Sequence, residues 1–328
     1  MSDSTLIRSV QLKPQPETGE QLRAVRDAPV GGQAVLEGVM MRGVSTWAVA
    51  VRKPDGSIEI SSHPLVSWLK RHRALRLPLV RGVVALVESL KIGLKALGIS
   101  TNAQLEEGEE EVSGGAWVGT VVFSLALAVG IFFLLPVGIT STFRHHIGGS
   151  IEFVLIEKAI RISIFVGYLW AISRIPDLQR VFQYHGAEHK TISCYEAGLP
   201  LTPHNAQRFS RLHPRCGTSF LLIVMIVALF VFAPLGTPAW YWLFASRVIG
   251  IPIVAGIAFE IIKLFGKNRS RRWAQILMWP GMQLQKLTTR TPTLDQLAVA
   301  IAAMDAVLAV ENPQEAGEAD RVGMEVVA

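Results

Sequence analysis

The chain has few charged residues and few cysteines for its length. Charged residues make up 18% of the 328 residues, against about 25% in an ordinary soluble domain, and half of the residues are hydrophobic. This composition excludes a disordered chain and argues against a conventional water-soluble enzyme. The two cysteines, Cys194 and Cys216, are too few for a disulfide framework, so both are expected in a reducing compartment. Residues 1–30 contain no apolar segment of signal-peptide length.

Two long segments, 116–143 and 216–246, contain no charged residue at all. About 20 apolar residues are enough to cross a bilayer as a helix. The sequence therefore predicts an α-helical polytopic membrane protein with about four transmembrane helices, at 116–138, 151–173, 217–233 and 240–264. Pro136 is expected to end the first of them.

The second predicted span is the least apolar of the four. A charge at mid-bilayer costs roughly 2.5–3.5 kcal/mol. The charges in this span are therefore expected near one end of the helix or against other helices, with Glu157 and Arg161 paired four residues apart. The residues concerned are Glu152, Glu157, Lys158 and Arg161.

The chain carries 32 basic and 26 acidic residues, a net charge of +6. A basic surplus can indicate nucleic acid or a membrane surface, but here it lies beside apolar segments, as the positive-inside rule predicts. No nucleic-acid partner is expected. The expected partners are the lipid bilayer and its anionic head groups, and protein partners are unknown. Both termini and the loop 174–215 are predicted to be cytoplasmic, in a multi-pass protein of the plasma membrane.

The remaining segments divide by composition. A β-rich pattern with the turn signal Pro54-Asp55-Gly56 predicts a small cytoplasmic β unit near the N-terminus. The pattern of 79–97 predicts a basic amphipathic helix on the membrane surface. The predicted organisation is a disordered tail (1–28), the β unit (29–66), an interfacial helix and acidic linker (67–115), the transmembrane domain (116–264), a cytoplasmic helical segment (265–311) and a disordered tail (312–328).

The segment 176–195 carries the clearest chemical pattern. It is predicted to be a helix on which His185, Glu188 and His189 lie in an otherwise apolar stripe. Two histidines four residues apart can bind one metal ion, and a neighbouring glutamate can act as base for a bound water. The His-x-x-Glu-His spacing is that of inverse zincins. The alternative is a pair of buried structural histidines, one of them hydrogen-bonded to Glu188.

A second polar cluster precedes the third predicted span. Cys216 is expected at a helix N-terminus, where the helix dipole favours the thiolate. His213 and Cys216 could complete a tetrahedral site with His185 and His189. The alternative is that the polar run caps the helix, with Arg211 and Arg215 facing anionic lipid head groups. Cys194 faces away from the stripe.

Four motifs resemble the YqhQ-like bacterial membrane proteins: GGQAVLEGVMMRG at 31–43, YHGAEHKTI at 184–192, SRLHPRCGTSFL at 210–221 and LQKLTTR at 284–290. The resemblance runs from about residue 30 to residue 310. The function of that family is unknown, and it is commonly labelled a predicted metal-dependent enzyme. The resemblance implies functional positions at His185, Glu188, His189, His213 and Cys216, and it supplies no substrate.

These patterns lead to one functional prediction and one alternative. The prediction is a metal-dependent hydrolase at the cytoplasmic membrane face, in which His185, His189 and either His213 or Cys216 hold zinc and Glu188 activates water. The alternative is a non-enzymatic membrane scaffold or transport factor with a structural metal or none. The number of ligands distinguishes them, because a catalytic zinc keeps an open position and a structural zinc has four protein ligands.

Overall fold

The computed structural model describes residues 28–70, 72–105, 113–235, 240–268 and 271–313. This part of the chain is mostly helical and has one small antiparallel sheet near its N-terminus. The sheet confirms the predicted β unit. The predicted acidic linker, and nearly all of the predicted disordered tails at 1–28 and 312–328, lie outside the described residues.

The sheet is a four-stranded antiparallel meander in chain order. Alternating side chains point to opposite faces of a strand, and both faces of the two central strands are covered. Val39, Met41, Ala48 and Ala50 belong to one buried cluster, and Met40, Trp47, Val49 and Val51 to another. The strands are β1 (Gly31–Val35), β2 (Gly38–Arg42), β3 (Thr46–Arg52) and β4 (Ile58–Pro64).

Ten α-helices follow the sheet in the described chain. They are α1 (Val80–Asn102), α2 (Gly114–Val129), α3 (Leu135–Thr142), α4 (Ser150–Ile172), α5 (Pro176–Glu196), α6 (Pro203–Gln207), α7 (Gly217–Phe232), α8 (Trp240–Lys267), α9 (Arg272–Thr288) and α10 (Leu294–Leu308). The first face of the sheet packs on α5 and α10, and the second packs on α1. The capping box that the sequence predicts at the start of α10 is confirmed, because Thr293 and Gln296 cap each other's backbone N–H.

Two stretches of the described helices are long and apolar enough to cross a bilayer, Gly114–Thr142 and Val248–Lys267. α7 is apolar but shorter, and α4 carries the charged residues noted above. The predicted arrangement of four spans is therefore not confirmed and stays a prediction.

Pro136 does not end the first long helix, so that expectation is wrong. The helix passes from α2 through a π-helical turn, Gly130–Leu134, into α3 and ends at Thr142. A proline inside a helix lacks a donor and its ring clashes with the carbonyl four residues earlier. A π turn directly before the proline widens the backbone and accommodates that clash.

Three of the four charges in α4 lie together, and the predicted pair of Glu157 with Arg161 is present. Glu157 pairs with Arg161 one turn along the helix and with Lys158, whose Nζ lies 2.5 Å from Glu157 Oε2. Glu157 and Lys158 are both buried. A charge that is paired and shielded by protein costs less in an apolar environment than an isolated one.

α1 covers the segment for which an interfacial helix is predicted. One side of α1 packs Ile92 and Ala96 against the sheet, and another packs Ala85 against α8. Arg81 forms a two-pronged ion pair with Glu260 of α8. The interfacial placement of α1 stays a prediction.

Candidate metal centre

The sheet approaches α5 unusually closely at β1. A Cβ atom on Gly32 would lie 2.8 Å from Cγ of Glu188 and 2.8 Å from the carbonyl oxygen of Met40. Real Cβ contacts are longer than this, so residue 32 has to be glycine for β1 to cover Glu188. Gly32 thus has a structural reason, which is close approach of the backbone to α5.

An ion pair fixes the sheet on the same helix. Glu37 lies in the tight turn between β1 and β2 with a φ of 49°. Arg180 of α5 donates to both of its carboxylate oxygens, at 2.6 and 2.5 Å. Tyr184, one turn further along α5, donates to Glu37 Oε2 at 3.3 Å.

His185 and His189 are each oriented by a backbone carbonyl. His185 Nδ1 lies 2.8 Å from the carbonyl oxygen of Thr288, and His189 Nδ1 lies 2.6 Å from that of Arg211. A carbonyl can only accept a hydrogen bond, so each Nδ1 carries the proton and each Nε2 keeps a free lone pair. Histidines that bind metals are typically held in this way.

Cys216 brings its sulfur to the same point. Its Sγ lies 3.4 Å from His185 Nε2 and 3.2 Å from Thr218 Oγ1. One ligand atom from each of His185, His189 and Cys216 lies within 4.8 Å of the others. The residue immediately precedes α7, as the sequence predicts, and is 1% exposed.

The surroundings favour the thiolate of Cys216. Burial by itself would raise the pKa of the thiol. The neighbouring imidazole of His189 and hydrogen bonds from Thr218 outweigh that effect, so the pKa lies below its ordinary value. The thiolate is the form of cysteine that binds metal.

Glu188 is completely buried beside these three residues. Neither of its carboxylate oxygens has a hydrogen-bond partner among the described residues. Its pKa is raised to about 8, mainly by burial; His185 acts to lower this pKa and Cys216 acts to raise it. The alternative in which Glu188 is hydrogen-bonded to one of the histidines is therefore not what the structure contains.

His213 lies outside the group of three. Its Nε2 is 3.6 Å from Glu196 Oε2, and its ring centroid is 5.6 Å from that of His189. Gln285 of α9 holds its backbone on both sides, accepting from the N–H at 2.9 Å and donating to the carbonyl at 2.8 Å. Cys216, not His213, thus shares a point with the two α5 histidines.

Arg215 is also held by Glu196. The carboxylate accepts from Arg215 Nη2 at 2.5 Å and from the N–H of Ala28 at 3.2 Å. Arg215 is 6% exposed, so the alternative in which it faces lipid head groups is wrong for this residue; the buried carboxylate on α5 attracts it inward. Burial would raise the pKa of Glu196, but His213, Arg215 and Ala28 together hold it at about 2.

Comparison with known proteins places the chain in a family. The model of a family described as "Protein of unknown function (DUF1385)" matches residues 77–310. The chain belongs to this family. "Uncharacterized protein YqhQ" of Bacillus subtilis (strain 168) is 36% identical over 298 residues, covering 87% of this chain and 94% of the relative. The resemblance that the four motifs indicate is thereby confirmed. No solved structure gives a match.

Several residues that hold the candidate metal centre in place were not predicted from the sequence. Lys190 is buried and donates to the carbonyls of Gln207 and Phe209, at 2.7 and 2.5 Å. Burial, aided by the charge of Arg211, lowers its pKa to about 8. This bond fixes the loop that supplies the Arg211 carbonyl to His189. The roles of the Thr288 carbonyl and of Gln285 were not predicted from the sequence either. Both involve hydrogen bonds to backbone groups, and every residue has a backbone, so residue type does not show which ones are used.

Proposed function

We propose that the protein is a metal-dependent hydrolase in which His185, His189 and Cys216 hold zinc and Glu188 is the general base. The observation that carries the proposal is the convergence of three ligand atoms within 4.8 Å of one another. Three protein ligands leave one position open, which is the arrangement of catalytic zinc sites. This number favours a hydrolase over a scaffold with a closed four-ligand site.

The residues present fit zinc in chemistry as well as in position. Two imidazole nitrogens and a thiolate are ligands that zinc accepts readily. His189 Nε2 and both oxygens of Glu188 are buried without a hydrogen-bond partner among the described residues. Unpaired buried polar groups are costly, so a cation that satisfies them would stabilise this arrangement.

The proposed reaction is the hydrolysis of a polar bond by a water molecule. A bound zinc ion would supply Lewis acidity at this point. Glu188 takes the proton from the attacking water and passes it to the leaving group. Its pKa of about 8 without a metal would fall beside a cation, toward the range in which a carboxyl group exchanges protons at neutral pH. The carbonyls of Thr288 and Arg211 keep the two imidazoles in the required tautomer.

Replacing Glu188 with glutamine tests the catalytic role. The amide keeps the shape but cannot take a proton, so Glu188→Gln should retain zinc and lose about 100-fold or more in turnover. The zinc-loaded wild type and the variant are compared on a panel of chromogenic esters, phosphoesters and peptides. Equal rates on every substrate that the wild type hydrolyses would contradict the proposal.

We further propose that the protein is a multi-pass protein of the bacterial inner membrane, with both termini and the loop 174–215 in the cytoplasm. No residue is buried along the most apolar stretch of Gly114–Thr142. The core helix of a soluble protein, by contrast, is mostly buried. A bilayer would cover this surface, and the basic loop would face the cytoplasm and anionic head groups.

Reporter fusions test this topology. Fusions at Gly198, after α5, and at Gly148, before α4, should report opposite sides of the membrane. An alkaline phosphatase reporter should be active only at Gly148, and a cytoplasmic fluorescent reporter only at Gly198. Equal signals at the two positions would show that α4 does not span.

A further inference from the structure

α9 has an apolar face that is largely exposed in the described part of the chain. Trp273, Ile276, Leu277 and Trp279 are 41%, 70%, 56% and 61% exposed. Their spacing gives them one side of the helix, and they are large enough to form a continuous apolar surface. The opposite side is buried against α7, where Gly281 lies on Ser219. Contiguous apolar surface of this kind indicates a binding partner.

The charge around α9 has a single sign. Between Glu260 and Asp295 the sequence contains no acidic residue, and its basic residues are Lys263, Lys267, Arg269, Arg271, Arg272, Lys286 and Arg290. A second α9 from another copy would bring like charges together in either orientation, which disfavours a dimer through this face. An anionic surface would instead attract the basic residues at both ends of α9.

We propose that α9 lies in the membrane interface, with its tryptophan face in the boundary between head groups and acyl chains and its basic flanks on anionic lipid phosphates. The proposal rests on the membrane location proposed above. α9 begins shortly after Val248–Lys267, which is long and apolar enough to span, so its start lies at a membrane surface. Tryptophan and arginine are typical of helices at that depth.

The inner face of α9 links this surface to the candidate metal centre. The carbonyl of Thr288, at the end of α9, orients His185, and Gln285 holds the backbone of His213 and the hydroxyl of Ser219. The end of α9 that contacts the candidate metal centre is thus part of the same helix as the proposed lipid-facing side chains.

Spin labels on the full-length protein test the proposal. Ile276→Cys and Leu277→Cys are each labelled with a nitroxide in nanodiscs of zwitterionic and anionic phospholipid. His204→Cys on α6 is the control, since His204 is exposed and far along the chain from α9. The two native cysteines are buried, and the unmutated protein is the labelling blank. Accessibility to oxygen is compared with accessibility to a water-soluble nickel chelate.

Labels at 276 and 277 should favour oxygen over the nickel chelate several-fold, and the label at 204 should show the reverse. High nickel accessibility at 276 and 277 would overturn the proposal, as would low accessibility to both reagents with spin–spin broadening, which indicates a dimer. Omitting anionic lipid, or introducing Arg271→Gln with Arg272→Gln, should lower the oxygen preference at 276; no change would refute the head-group contact.

Zinc content is measured on the same samples. Water-exposed labels in protein that co-elutes with the nanodiscs and retains zinc would refute the interfacial helix alone, whereas failure of the protein to enter nanodiscs would refute the membrane location on which it rests. Lipid-embedded labels without zinc would refute the metal centre alone.

Discussion

Replacing His189 with alanine should remove zinc from the purified protein, whereas replacing His213 with glutamine should not. His189 is one of the three residues whose ligand atoms converge, but His213 faces Glu196. Changing a residue that merely supports a ligand costs about 10- to 100-fold in metal affinity. Loss of a ligand should cost at least as much. Cys216→Ser should behave like His189→Ala, because a hydroxyl group is a much weaker zinc ligand than a thiolate.

Metal analysis of the four proteins, wild type included, is the measurement. Cobalt substitution adds a second readout, since a thiolate ligand gives a charge-transfer band that Cys216→Ser should lose and His213→Gln should keep. Melting temperatures show which variants are folded. Loss of metal in a folded His213→Gln would indicate a closed four-ligand site and would favour a structural metal. Undiminished zinc in His189→Ala would contradict the site itself.

Glu196→Ala should destabilise the protein by about 3–5 kcal/mol, because it leaves Arg215 buried without its partner. The side chain of Glu196 is 0% exposed and that of Arg215 is 7% exposed. For a domain of this size, that loss corresponds to a fall in melting temperature of roughly 10 °C. The matched control is Glu59→Ala, whose half-exposed pair with Lys53 should contribute less than about 1 kcal/mol.

The stabilisation that Glu196 provides should depend on pH. The pKa of Glu196 falls from 4.5 to about 2 on folding, so the folded state favours the ionised form. The contribution of Glu196 to the free energy of unfolding is complete above the pKa that this residue has in the unfolded chain. It is lost as pH falls from about 4.5 toward 2. The wild type should therefore lose its advantage over Glu196→Ala in that interval, measured by melting in detergent. An equal advantage at pH 7 and pH 3 would contradict the assignment.

The sequence by itself determined the elements whose signals are local. The His-x-x-Glu-His stripe on α5, the capping box of Thr293 and Gln296, and the turn at Pro54-Asp55-Gly56 each depend on residues within one or two helical turns of one another. A single stretch of sequence contains every residue that such a signal needs. The convergence of His185 and His189 follows from helical spacing for the same reason.

The tertiary structure alone decided which groups meet across the chain. The choice of Cys216 over His213 depends on the path of the loop from α6 to α7, and Glu196 draws His213 and Arg215 to its own side. The contact of Gly32 with Glu188 joins residues in different elements. The helix continues past Pro136 because of a π turn, which the spacing of apolar residues in the sequence does not indicate. These outcomes rest on long-range packing and on backbone carbonyls, which residue type does not encode.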